Sequence, residues 1–268
     1  MILQPGCRVV IAPHFQMATD WSRRLLIGSG VEEVNGCFFP RPSWRPPTSD
    51  ELALLLDAPE GSTSPEELAT SVCLFQLPEH LRSQWWTLLE KGAGALGDGS
   101  LPGFETFVKN VVEFLDFKEL QVPEGARCNL VVSNAGQRSA DWRPGARGPE
   151  GLRCHTPLGA TRPGVAELRG PPPVWGGINL GTEETSLVLI NLPCRQLEAE
   201  LRRRFPDQPP ADGELGDQFL RFCPDYPPVR LILRPGEGCR LPCGGLILDS
   251  YLADKQDPDV LLLISLSS

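Results

Sequence analysis

Histidine, cysteine and carboxylate side chains are the usual metal ligands and catalytic groups, and their spacing in this chain completes no familiar motif. The three histidines, His14, His80 and His155, are far apart, so paired-histidine motifs such as HExxH are absent. Cys239 and Cys243 have no second closely spaced pair, which argues against a structural zinc site. GxSxG, GxxxxGK[ST] and a GxGxxG between strand and helix are also missing. The sequence therefore does not decide between an enzyme and a non-enzyme.

A forty-residue span, 134–173, has almost no periodic apolar pattern and is rich in arginine. It contains six arginines and three acids in a chain whose net charge is −9. A segment of this length without regular structure is usually either a functional loop or disordered. One interpretation is a lid that presents arginine to an anionic ligand or docks an acidic partner. The other is a solvated insertion.

The composition is that of an ordinary globular protein, with 268 residues, 41% hydrophobic and 22% charged. The acidic balance, with a pI near 5.0, argues against nucleic acid as the main partner. We see no signal peptide, and the longest apolar run is too short to span a membrane. Nine scattered cysteines fit a reducing compartment. We therefore expect a cytoplasmic protein.

Apolar runs separated by Gly, Pro and Asp predict strands near the C-terminus, and helical spacing predicts helices before them. We expect a single α+β domain with a helical and strand buttress over 1–125. Residues 126–268 would then form a jelly-roll core with the long loop 134–173. The predicted strands are 6–12, 72–76, 128–133, 186–191, 229–233, 245–248 and 260–264. The predicted helices are 20–27, 50–57, 78–91, 104–115, 193–205 and 212–222, with a further helix start at Ser64 and a proline-broken loop over 36–48.

The order of strands and turns from about residue 170 to 266 includes the pattern PGEG-x-x-LP from Pro235, followed by GG-x-I-x-D. This segment resembles the cupin-like double-stranded β-helix of the Fe(II)/2-oxoglutarate-dependent oxygenases. In that family a His-x-Asp or His-x-Glu pair follows an early core strand, and a distal His lies near the start of a later strand. An Arg or Lys beyond it binds the oxoglutarate carboxylate. Two imidazoles and one carboxylate occupy one face of the iron and leave three positions open.

The resemblance places Gly177 at the His position, Asn179 at the carboxylate position and Cys239 near the distal ligand. Glycine has no side chain to ligate a metal, and asparagine is a weak neutral ligand. The resemblance therefore implies a relative that has lost its metal triad and, without a cofactor, binds a small molecule or a protein partner. The predicted ligand-binding residues are Asn179, Arg234, Cys239, Arg240 and Trp175.

Three alternatives to these assignments stay open. Arg234 and Arg240 flank the PGEG turn and could hold a carboxylate, or they could be solvated and pair with Asp249 or Glu237. The chain could be an active oxygenase that uses Fe(II) and 2-oxoglutarate through other ligands such as His155. It could also be a non-enzymatic interaction module that docks a partner through its arginine-rich loop. The sequence gives no oligomeric state.

Overall fold

The protein is described by a computed structural model that combines helices with β-sheets, as the α+β prediction requires. The described residues are 1–12, 15, 20–56, 70–91, 101–118, 120, 122–135, 137, 152–155, 174–207, 215–242 and 245–266. Within them, no helix is both long and apolar enough to cross a membrane.

Two six-stranded sheets contain most of the described strands. The spatial order in the first sheet is β1 (Val9–Ile11), β6 (Val72–Gln76), β12 (Glu237–Arg240), β9 (Val174–Asn179), β14 (Asp259–Leu266) and β7 (Ala126–Ser133). The order in the second sheet is β5 (Trp44–Arg45), β2 (Leu25–Gly28), β11 (Val229–Leu233), β10 (Thr185–Ile190), β13 (Leu246–Ser250) and β8 (Arg153–His155). A separate hairpin joins β3 (Val31–Val34) to β4 (Cys37–Pro40).

From β7 to β14 the chain passes back and forth between the two sheets, except where β10 and β11 pair directly in the second sheet. Neighbouring strands are antiparallel, apart from the parallel pair β1 and β6. The N-terminal part of the chain adds β1 and β6 to one edge of the first sheet and β2 and β5 to one edge of the second. Its strands therefore extend both sheets as well as supporting them.

The described helices are α1 (Trp21–Arg24), α2 (Ser49–Leu55), α3 (Glu79–Lys91), α4 (Phe104–Phe117), α5 (Cys194–Arg204) and α6 (Leu215–Phe222). Helix α2 begins with a capping box, in which Thr48 and Glu51 each bond the backbone N–H of the other. Helices α3 and α4 pack their apolar side chains on the outer face of the first sheet. That face is therefore a second core rather than solvent-exposed surface.

Strand alternation divides the apolar residues of the first sheet between two cores. Leu74 belongs to the core that also contains Leu187 and Leu231 of the second sheet. Its neighbour Phe75 belongs to the core shared with α3 and α4, which includes Trp85. The space between the sheets is thus filled mainly by aliphatic side chains.

Several sequence predictions are confirmed. Strands 72–76 and 229–233 agree at both ends, and the helices predicted at 78–91, 104–115 and 193–205 are present within two residues. The start predicted at Ser64 lies outside the described residues. So does most of the 134–173 span, although β8 shows that this span also contributes a core strand.

Three predictions differ from the structure. The helix expected over 20–27 ends at Arg24, because Leu25–Gly28 pairs with β11 as a strand. The loop expected over 36–48 contains β4 and β5. The predicted PGEG turn is confined to Pro235 and Gly236, because Glu237 and Gly238 already belong to β12, which pairs with β9.

Candidate functional site

Buried polar side chains collect at one end of the two-sheet core, which we call the polar end. Here β9, β11 and β13 end and β10, β12 and β14 begin. The buried polar side chains are Arg24, Ser133, Asn179, Thr185, Glu237, Ser250, Lys255 and Asp259. Because buried polar groups are costly without partners, their bonds show which of them are structural.

Asn179, a predicted ligand-binding residue, is fully buried at the polar end, and its amide is bonded to backbone on every side. Its Nδ2 donates to the carbonyls of Glu183 and Leu233, each at 2.9 Å. Its Oδ1 accepts the Gly181 N–H at 2.9 Å. The side chain thus links the end of β9 to the end of β11 in the other sheet, and both of its donor hydrogens are used.

Cys239 lies in the middle of β12 and is completely buried. It pairs with Gly177 on β9, and Gly177 pairs in turn with Leu263 on β14. Burial raises the pKa of the Cys239 thiol to about 12, so the group is protonated at neutral pH. A thiol must lose its proton to ligate a metal well, so this residue is poorly suited to that task.

The two predicted arginines lie at different ends of β12. Arg234 is 46% exposed at the polar end, where its Nε lies 3.8 Å from Oε1 of Glu184. Arg240 ends β12, and its Nη2 lies 3.3 Å from Sγ of Cys73. The Glu237 carboxylate accepts the backbone N–H of Arg234 at 2.8 Å, but its ion-pair partner is Arg24.

Trp175 lies at the start of β9, at the opposite end of the core from Asn179. Its ring packs near Phe75, with centroids 6.4 Å apart, and the residue is 9% exposed. Asn179 follows Trp175 by four positions along the strand, which is about 13 Å. The structure therefore divides the five predicted residues between the two ends and the middle of the core, and their role in ligand binding stays a prediction.

The residues that the sequence resemblance assigns to the metal-ligand positions do not fit an iron ion. Gly177 offers no side chain, the Asn179 amide is occupied, and the Cys239 thiol is buried and protonated. Across the described residues, no group of three or more His, Cys, Asp or Glu side chains is placed to hold a metal. His14 and the side chain of His155 lie outside the part of the chain that is described.

A cleft that the sequence did not reveal lies beside the polar end, on the outer face of the second sheet. Its volume is about 370 Å³, and we call it the loop cleft because residues 251–256 form one wall. Its lining residues are Glu183, Glu184, Ser186, Arg230, Tyr251, Asp254, Lys255 and Gln256. This is within the size range of small-molecule sites.

Arg230 occupies the floor of the loop cleft and is held there from several sides. Its guanidinium carbon lies 4.6 Å from the ring centroid of Tyr251 and 5.7 Å from that of Trp44. Its Nε donates to Oγ of Ser186 at 2.9 Å, and its Nη1 donates to Oδ2 of Asp254 at 2.6 Å. The side chain is only 12% exposed, so its planar fork has a fixed orientation.

The wall of the loop cleft is tied to the start of β10 by bonds that cross between loops. Lys255 pairs with Asp259 at 2.8 Å and donates to the carbonyl of Glu184 at 3.3 Å. The Glu183 carboxylate accepts the backbone N–H groups of Gln256 and Asp257 at 3.1 and 3.0 Å. The lining groups are therefore positioned before any ligand arrives.

Sequence reasoning missed this site because its parts are distant along the chain. Arg230 alternates with apolar neighbours on β11, which only indicates that it points away from the inner core. The aromatic rings that hold it belong to β5 and to the residue after β13. This alternation of Arg230 with apolar residues is the one feature of the sequence that points to the site.

No protein-family model matches the chain, and no curated protein matches it. A crystal structure of the Kdo hydroxylase KdoO, a non-heme Fe(II) α-ketoglutarate-dependent dioxygenase in complex with cobalt(II), is similar in structure. The similarity has a TM-score of 0.40 and 14% sequence identity, and it covers 75% of this chain and 80% of that one.

Proposed function

We propose that the chain is a double-stranded β-helix protein that binds a small molecule without oxidising it through iron. The strand order supports the fold. Eight successive strands, β7 to β14, form the orders β7-β14-β9-β12 and β8-β13-β10-β11 in the two sheets. Two facing antiparallel four-strand units of this kind are typical of jelly rolls and cupins.

The observation that carries the binding role is the bonding of Asn179. An amide that donates to two carbonyls and accepts from a third backbone group has no hydrogen left to give a ligand. At Asn179, which the resemblance assigns to the carboxylate position of an oxygenase, this chain therefore has a structural link between the sheets. A jelly roll without that ligand keeps its scaffold and its clefts, which is the basis for a binding function.

The test is metal content, measured by mass spectrometry on the purified protein before and after incubation with Fe(II) and 2-oxoglutarate. We expect iron well below one per chain and no oxoglutarate turnover in either sample. Iron at one per chain together with turnover would overturn the proposal. Converting Asn179→Asp is a useful second sample, because a restored carboxylate should not recruit iron at a site that lacks the other ligands.

A second candidate is an active oxygenase that uses Fe(II) and 2-oxoglutarate through ligands such as His155. The observation in its favour is that His155 ends β8, an early core strand, in register with Leu246 at the start of β13. Binding of Co(II) to His155→Ala, with His80→Ala as the matched control, tests this candidate. Equal binding by both variants would reject it, and loss confined to His155→Ala would support it.

The interaction-module hypothesis rests on the arginine-rich span 134–173. Most of that span lies outside the described residues. It stays a prediction from the sequence, and limited proteolysis of the isolated protein is its simplest test. Resistance of the span to cleavage would count against a loop that orders only on a partner.

A further inference from the structure

The loop cleft contains a guanidinium whose hydrogen-bonding capacity is only partly used. Nε of Arg230 bonds Ser186 and Nη1 bonds Asp254, but Nη2 has no partner among the described residues. A guanidinium fork commonly binds a carboxylate through parallel N–H donors. Its position against the rings of Tyr251 and Trp44 restricts the guanidinium, which lowers the entropy cost of fixing the fork. The floor of the cleft is thus ready to accept an anionic oxygen.

The charges around the cleft exclude a simple anion. Glu183, Glu184 and Asp254 all line it, and the Lys255 charge is already balanced by Asp259. The carboxylates of Glu184 and Asp254 are also the most accessible charges, at 59% and 60% exposed. A purely anionic ligand would meet these groups as it approached Arg230, and like charges repel.

A simple cation would also match only some of the charged groups in the cleft. It would pair with Glu184, whose one ion pair among the described residues is a loose contact with Arg234 at 3.8 Å. It would leave Nη2 of Arg230 unmatched. Nη2 of Arg230 and the carboxylate of Glu184 both gain a partner when one small molecule carries a negative and a positive charge. Its carboxylate would accept from Arg230 and its ammonium would donate to Glu184.

We infer that the loop cleft binds an amino acid in its zwitterionic form. The inference rests on the proposed binding role and adds the ligand class and the site. A volume of about 370 Å³ accommodates a molecule of this size. The recognition is polar and preorganised, because Arg230 is fixed by its stack and the wall is fixed by the Lys255 and Glu183 bonds.

Calorimetric titration of the metal-free protein with each common L-amino acid, at up to about 10 mM to cover weak sites, tests the inference. We expect at least one to bind. The amine that lacks the carboxylate and the acid that lacks the ammonium should each bind at least about tenfold more weakly than that amino acid, since each forfeits one charge-assisted contact. Binding by none of the amino acids, or equal binding by either analogue, would overturn the inference.

Two exposed glutamates supply a matched pair of variants. Glu184→Gln should weaken binding by about tenfold through loss of the ammonium partner. Glu113→Gln should leave binding unchanged, since Glu113 is similarly exposed and also forms a loose ion pair, 3.7 Å from Lys109 on α4. Unchanged binding in Glu184→Gln would overturn the assignment.

Arg230→Lys tests the floor of the cleft, because it keeps the charge but removes the fork. We expect weaker binding with a far-ultraviolet spectrum like that of the parent protein, and undiminished binding would contradict the inference. These titrations are independent of iron. An iron-containing protein that binds an amino acid would refute only the proposed function, and a metal-free protein that binds none would refute only this inference.

Discussion

The guanidinium of Arg24 and the carboxylate of Glu237 form an ion pair inside the protein that joins its two sheets. Arg24 directly precedes β2 in the second sheet, Glu237 begins β12 in the first, and neither side chain is more than 4% exposed. Arg24 also donates to the carbonyl of Ile232 from Nε at 3.3 Å and from Nη2 at 3.0 Å. Its Nη1 is buried and has no hydrogen-bond partner among the described residues.

Removing one member of this pair should be far more damaging than removing both. Glu237→Leu or Arg24→Met alone leaves the partner's charge buried without its counter-charge, which costs about 3–5 kcal/mol. The double variant Arg24→Met/Glu237→Leu should recover much of that loss, since it buries no charge. Urea unfolding of the four proteins measures the cycle, and a double variant as unstable as the two losses added together would contradict this account.

Asn179→Ala should destabilise the fold through the groups that it leaves unpaired. The carbonyl of Leu233 and the N–H of Gly181 would lose their partner, at about 1–3 kcal/mol for each group that stays buried and unsatisfied. Asn110→Ala is the control, because among the described residues that amide donates one hydrogen bond, to Oε1 of Gln84 on a neighbouring helix. If Asn179 served only to bind a ligand, the two variants would be equally stable.

Gly236→Ala should be more destabilising than Gly36→Ala, although both glycines have φ near +80°. A Cβ on Gly236 would lie 2.4 Å from Cδ of Arg82, whereas nothing lies within 4 Å of a Cβ on Gly36. Gly36→Ala therefore reports the backbone cost alone, about 1 kcal/mol. Thermal unfolding compares them, and equal losses would show that Arg82 moves aside freely.

The carboxylate of Glu200 makes stability depend on pH in the acid range. Hydrogen bonds from Arg203 and then Arg204 lower its pKa to about 2. Because an unfolded glutamate has a pKa of about 4.3, the stabilisation is complete above that pH and is lost as the pH falls toward 2. Glu200→Gln should be less stable at pH 7 and should lose less stability between pH 5 and pH 2. Parallel pH profiles for the two proteins would refute this.

Regular apolar spacing made the helices and the central apolar strands predictable from the sequence. Strand β9 was not predictable in this way, because it contains two glycines. Gly176 and Gly177 lower the strand propensity of β9, yet a Cβ on Gly176 would lie 2.2 Å from the carbonyl oxygen of Cys239. Glycine is required there because β9 and β12 approach closely. A rule that scores each residue type alone predicts a turn at the same glycines.

In the segment after Asp20, pairing with a strand distant in the sequence determined the structure, against the local sequence pattern. Asp20 does cap a helix as predicted, through a bond from the Ser22 N–H, but the apolar residues that follow it pair with β11 some 200 positions later. Gly177 and Asn179, which the resemblance to oxygenases places at two ligand positions, are consecutive inward positions of one strand. Arg230 could not be chosen from the sequence, since its role depends on Tyr251 and Trp44.

The position of β14 has a consequence for how the chain acquires its fold. This strand contains residues 259–266, yet it lies inside the first sheet, paired with β9 on one side and β7 on the other. Those two neighbours cannot complete the sheet until β14, which follows both of them in the chain, has moved between them. We therefore expect slow folding, in which β7 and β9 keep unpaired, aggregation-prone edges until β14 is in place.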